Sequence, residues 1–210
     1  MKKMYSEYLN KEHSFDKVTM LGIFSLIIVI AGVFGFLYEF VFYYFNGGMQ
    51  QWYYRGGNFL PWINIYATGS ILIYLLTYKK RKNPFKVFII SVIATGILEY
   101  FSGLGMYLIT GNRCWDYNSE ILNFGNIGGF VCLRSVLFFG LSSLILIYLI
   151  VPFCFFLAHH TNKKIFLTIS FTLCSIILID EFYNLLFARL FHLPRASTIY
   201  KKLGVHYVKF

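Results

Sequence analysis

Charge is scarce in this chain. Only 13% of its 210 residues are charged, against about a quarter in an ordinary soluble domain. With 58% of residues apolar and 21% aromatic, the shortfall excludes a water-soluble domain of usual composition and makes lipid the main solvent. Signature motifs are absent too. There is no G-x-x-x-x-G-K-[ST] loop, so the chain does not hydrolyse ATP by that route. There is no H-E-x-x-H or comparable metal spacing, and no G-x-S-x-G nucleophile turn. No metal site, cofactor or catalytic residue is therefore expected from motifs. Cysteine is sparse as well, with four residues and no regular framework. Cys132, Cys154 and Cys174 lie in apolar runs, where the default is a small buried hydrophobe. His159 and His160 are adjacent and diverge on a helix, which makes them solvated loop residues rather than ligands.

What the chain does have is long apolar runs. Stretches of about 18 residues or more are candidates for membrane crossing, and five occur, at roughly 18–45, 60–78, 85–110, 128–158 and 165–190. The first is too long for a signal-peptide core, contains Glu39 and has no small-x-small cleavage site, so it reads as a retained span. The expected fold is all-α, a single polytopic transmembrane helix bundle over 1–210 with about five spans, or six, and a basic tail at 191–210.

The net charge of +10 raises the question of nucleic acid, and the placement of the basic residues answers it. Lys79, Lys80, Arg81, Lys82 and Lys86 fill one tight loop, Lys2, Lys3, Lys11 and Lys17 precede the first run, and Lys163 and Lys164 precede the last. That is the positive-inside pattern, so the partner is the bilayer and not nucleic acid. It places the N-terminus and the loops at 79–86 and 159–164 in the cytoplasm, with the loops around Arg55 and Asp116 outside. The tail is an exception: five spans put Arg189, Arg195, Lys201, Lys202 and Lys209 outside. An interfacial amphipathic segment or a different span count would account for it.

Ionisable side chains within apolar runs cost roughly 2.5–3.5 kcal/mol each at the bilayer centre and are functional candidates by default. Glu39, Glu99, Arg134, Asp180 and Glu181 qualify. The inferred topology puts Glu39, Glu99, Arg134 and Asp180 in one half of the membrane, the outer one, with Arg113 and Asp116 above them in the loop. Ser91, Thr95, Glu99 and Ser102 draw a polar stripe down one helical face, Gly32, Gly35 and Glu39 share another, and Asp180 and Asn184 are four apart. The expectation is an outward-facing polar pocket with segment 111–135 as lid and one wall, and with Arg134 as the electrostatic partner of the carboxylates. The competing expectation is structural. Glu39 and Arg134 can reach the interface, and Trp115 and Tyr117 suit an aromatic belt.

Several of these residues also form a pattern. Tyr38-Glu39, Ile65-Tyr66 with Gly69, Glu99 followed by Gly103, Trp115-Asp116-Tyr117, and Asn126-x-Gly128-x-x-Val131-Cys132-Leu133-x-x-Ser135 together resemble the bacterial membrane family catalogued as putative ABC-transporter type IV. The resemblance covers about 30–140, with Asp180 a weaker match. Where the family has P-I-Y-G-x-G this chain has Asn64-Ile65-Tyr66-Ala67-Thr68-Gly69, and Phe139 stands where the family has tryptophan. Any site built on that proline's kink is then in question.

The resemblance implies a permease of the bacterial cytoplasmic membrane, working with a separate ATPase subunit. The loops at 79–86 and 159–164 are short for gripping one. The substrate-binding set expected is Glu39, Tyr66, Glu99, Trp115, Asp116, Asn126, Arg134 and Asp180, for a small polar or amphiphilic solute. Two alternatives stay open: a membrane-embedded enzyme on a lipid or lipid-linked substrate, and a non-catalytic membrane partner.

Overall fold

The computed structural model describes residues 8–10, 14–46 and 54–205; Lys2, Lys3, Lys11 and Lys209 lie outside the described residues. The described chain is helical, with α1 at Lys17–Asn46, α2 at Asn64–Thr77, α3 at Pro84–Thr110, α4 at Leu133–His160, α5 at Lys163–Leu190 and α6 at Ala196–Lys202. Four of these, α1, α3, α4 and α5, are long and apolar enough to cross a membrane. They correspond to four of the five expected spans. The remaining one shrinks to α2, whose 14 residues rise about 21 Å, short of the ~30 Å hydrocarbon core. The start of that run, 60–63, is not helical.

The exposure pattern of α3 is inverted relative to a helix in water. Val87, Ser91, Thr95, Glu99 and Gly103 are buried, whereas Ile89, Ile93, Ile97 and Phe101 on the other side are exposed. Polar groups turn inward and hydrocarbon outward, which is stable only where the surroundings are themselves hydrocarbon. The chain is an integral membrane protein.

Two compact units divide the structure, one within Met1–Lys17 and Gly69–His160, the other within Val18–Thr68 and Thr161–Lys209. In the first, α3 and α4 pack through small residues. A Cβ on Gly140 would sit 2.6 Å from Val92 and 2.7 Å from Phe88, so the contact requires glycine there. Asn83 caps α3 by accepting from the Lys86 amide, Pro84 follows as its first residue, and Gly111 ends it at φ 68°. One turn of α4, Leu146–Ile150, is a wide π turn. The Tyr8 hydroxyl donates to the Ile147 carbonyl in that turn at 2.7 Å. Burial pushes the Tyr8 pKa above the ordinary tyrosine value, so the group remains a donor.

Arg81 departs from its expected place in a solvated basic loop. It is 5% exposed, donates to the Tyr8 carbonyl at 2.8 Å and to the Tyr78 carbonyl at 2.9 Å, and lies over the Tyr78 ring. Its loop neighbours Lys80 and Lys82 are exposed.

In the second unit, α1 is notched for the aromatics of the following segment. A Cβ on Gly32 would fall 1.9 Å from the Trp62 indole nitrogen, and one on Gly35 2.1 Å from the Tyr66 ring. Trp62 Nε1 donates to the Ile28 carbonyl at 3.2 Å, and the ring is buried with Ala67 and Ile177. The C-terminal end of α5 contains a second wide turn, Tyr183–Phe187.

Candidate functional site

The first unit holds a buried carboxylate under a folded cap. Glu99 is 3% exposed; its Oε1 accepts from the Tyr117 hydroxyl at 2.5 Å and its Oε2 from Ser135 Oγ at 2.7 Å. Ser135 is held in turn at the start of α4, where its Oγ also accepts from the Cys132 amide. Gly103, one turn beyond Glu99, lets the cap approach: a Cβ there would lie 3.0 Å from both Trp115 and Phe130.

The cap, residues 111–132, is knotted by its own polar groups. Asp116 accepts from the amide and side chain of Asn118, at 3.1 and 2.7 Å, and pairs with Arg113 at 3.7 Å. Asn126 accepts from the Gly129 amide and donates to Asn118 Oδ1, both at 2.8 Å. Trp115 Nε1 donates to the Phe130 carbonyl at 2.8 Å, and Arg113 to the Gly128 carbonyl at 2.6 Å. Gly129 sits at φ 81°, and a Cβ on it would lie 2.4 Å from both Asp116 and Asn118. The W-D-Y and N-x-x-G pattern is thus the internal bonding of a loop that carries Tyr117 to Glu99. Asp116, Asn126 and Trp115 build this loop, and Tyr117 and Ser135, absent from the expected set, supply the bonds to Glu99.

Arg134 lies in the first turn of α4, which begins at Leu133. Its carboxylate partner is Glu120 of the cap, and it donates to the Ile121 carbonyl at 2.9 Å. Sequence spacing offered no sign of Glu120, fourteen residues away and outside every apolar run.

The second unit carries Glu39, Tyr66 and Asp180. Glu39 Oε2 accepts from Arg55 Nε at 3.1 Å and Oε1 from the Tyr66 hydroxyl at 3.2 Å. Arg55 is 4% exposed, with its guanidinium 3.4 Å from the centroid of the Tyr43 ring. Among the described residues each unit thus has a carboxylate bonded to a tyrosine hydroxyl, buried for Glu99 and half-buried for Glu39. Asp180 accepts from the backbone amides of Phe59 and Leu60 at 3.0 and 2.7 Å, and from Asn184 at 2.7 Å. Glu181 beside it accepts from Asn58 at 2.7 Å and Asn64 at 3.0 Å. The pair fastens segment 58–64 to α5, and the donors are mainly backbone amides and asparagines that a search for charges passes over.

A family profile described as putative ABC-transporter type IV matches residues 26–185, so the chain belongs to that family. No curated protein matches the chain, and no solved structure does.

Proposed function

We propose that the chain is the membrane-embedded, permease-like subunit of an ABC-type transporter in a bacterial cytoplasmic membrane, and that Glu99 is the centre of its solute site. The observation that carries this reading is a carboxylate buried on the inward polar row of α3 and gripped from both sides by hydroxyls. Ionising such a group in hydrocarbon is costly, and a structural brace needs no charge. The solute is a small polar or amphiphilic molecule, met first by Tyr117 and the cap. Within the same proposal the 79–86 and 159–164 loops are cytoplasmic, the cap is outside, and an ATPase is a separate chain. The polar row continues from Glu99 through Thr95 to Ser91, two helical turns further along α3, which suits a solute that passes through the membrane better than a lipid-modifying enzyme working at one face. Glu39 with Tyr66 is the second candidate contact.

The test is complementation. Cells lacking the gene are screened against a panel of nutrient and toxic solutes for a growth difference that the wild-type gene reverses. Glu99→Gln keeps the shape and most of the hydrogen bonding, so it should reach the membrane at wild-type level and fail to reverse that difference. Full reversal by the Gln variant would remove Glu99 from the site.

A further inference from the structure

Beyond Glu181 the chain contains no acidic residue, yet it carries Arg189, Arg195, Lys201, Lys202 and Lys209. The described part of this tail is not a loose end. Asn184 Oδ1 accepts from the Ala196 amide at 2.7 Å, Tyr183 donates to the Pro194 carbonyl at 3.0 Å, and Tyr200 donates to the Phe59 carbonyl at 2.7 Å. Ala196, the first residue of α6, is fully buried. The segment is therefore folded back and fixed at the C-terminal end of α5, a membrane-spanning helix, which holds it at the depth where hydrocarbon gives way to headgroups.

The surface it shows there is of two kinds. Leu190, Phe191 and Leu203 are 64%, 61% and 71% exposed, and Arg189, Lys201 and Lys202 are exposed beside them. Apolar groups without cover, interleaved with cations and without one acid, match a lipid surface that is greasy below and negative above. We propose that segment 189–202 is a fixed interfacial platform that binds anionic phospholipid headgroups, with Lys201 and Lys202 contacting lipid phosphate. This also accounts for a basic tail that the positive-inside pattern leaves unexplained: its cations are held at the headgroups by attraction. The inference does not depend on the solute site.

The full-length protein in detergent micelles is titrated with phosphatidylglycerol or phosphatidylcholine of the same acyl chains, and bound lipid is counted by native mass spectrometry. Wild type should bind phosphatidylglycerol more tightly, and Lys201→Gln and Lys202→Gln should each weaken that binding about fivefold with phosphatidylcholine binding unchanged. Because both side chains are exposed, thermal unfolding should not shift, and the Lys201→Arg/Lys202→Arg double variant should keep the preference. Equal phosphatidylglycerol binding by wild type and the Lys201→Gln/Lys202→Gln variant would overturn the proposal. So would displacement of the lipid by inorganic phosphate at matched ionic strength, which would identify a free-anion site instead of a lipid surface.

Discussion

The Tyr117 hydroxyl donates to Glu99, and the bond joins a loop that organises itself to a carboxylate inside a membrane helix. Tyr117→Phe removes the donor and leaves the ring. Leaving a buried acceptor without its donor costs about 1–3 kcal/mol, so the variant should unfold at a measurably lower temperature in detergent. In combination with Glu99→Gln the loss should be smaller than the sum of the two single losses. Strict additivity would mean that the pair is not coupled.

Gly129→Ala tests the cap itself. The left-handed backbone costs a non-glycine residue about 1–2 kcal/mol, and the added methyl group collides with Asp116 and Asn118. The expected result is a cap that loosens while α3 and α4 stay packed. Cys114 is half-buried in the cap, whereas Cys132, Cys154 and Cys174 are buried. An impermeant maleimide should therefore label Cys114 faster in the variant, with the other thiols unreactive. An unchanged rate would show that the cap tolerates the alanine.

Arg55 and Glu39 form an ion pair in the second unit. Arg55→Ala strands the half-buried carboxylate; breaking a fully buried pair from one side costs about 3–5 kcal/mol, and with Glu39 part-exposed the loss is smaller but should still lower folded yield. Arg55→Lys should rescue only part, since an ammonium lacks the flat face that lies on Tyr43. Removing both charges with Arg55→Met/Glu39→Gln should recover more yield than the lysine. A lysine variant indistinguishable from wild type would contradict the stacked geometry.

Two glycine-to-alanine changes should have opposite signs. Gly35→Ala drives a methyl group into the Tyr66 ring and should destabilise by about 1–3 kcal/mol. Gly105, in α3, has open space where a Cβ would go, and alanine there should be neutral or stabilise by up to about 1 kcal/mol through helix propensity. Thermal unfolding of the two variants, compared side by side, decides it.

Much of the fold was legible because hydrocarbon leaves a coarse mark: a run of twenty apolar residues reads as a helix whatever packs on it. The four-residue spacing of Ser91, Thr95 and Glu99 marked the inward face of α3 for the same reason. The partners of the charges were less legible. Arg81 and Arg55 look like ordinary loop cations in sequence, and only the folded chain shows them turned inward over tyrosine rings. Asp180 takes backbone amides that carry no signature in the residue types of positions 59 and 60. Glu120 is an unremarkable loop acid until the cap closes on Arg134.

The wide turn at Leu146–Ile150 has a consequence for how the chain tolerates change in length. A π turn holds one residue more than the regular helix needs, and each residue of an α-helix turns the chain by about 100°. Deleting a single residue from 146–150 would restore an unbroken α-helix, and for that helix considered alone it would be harmless. It would also keep Gly140 on Val92 and Ser135 on Glu99, because the wide turn already takes up its extra residue without passing that rotation to its flanks, whereas the same deletion from a regular turn of α4 would rotate one part of the helix by that angle against the other. The wide turn thus makes 146–150 the stretch of α4 that can lose one residue without changing which faces its two halves present, so its length is less constrained than that of the regular turns around it.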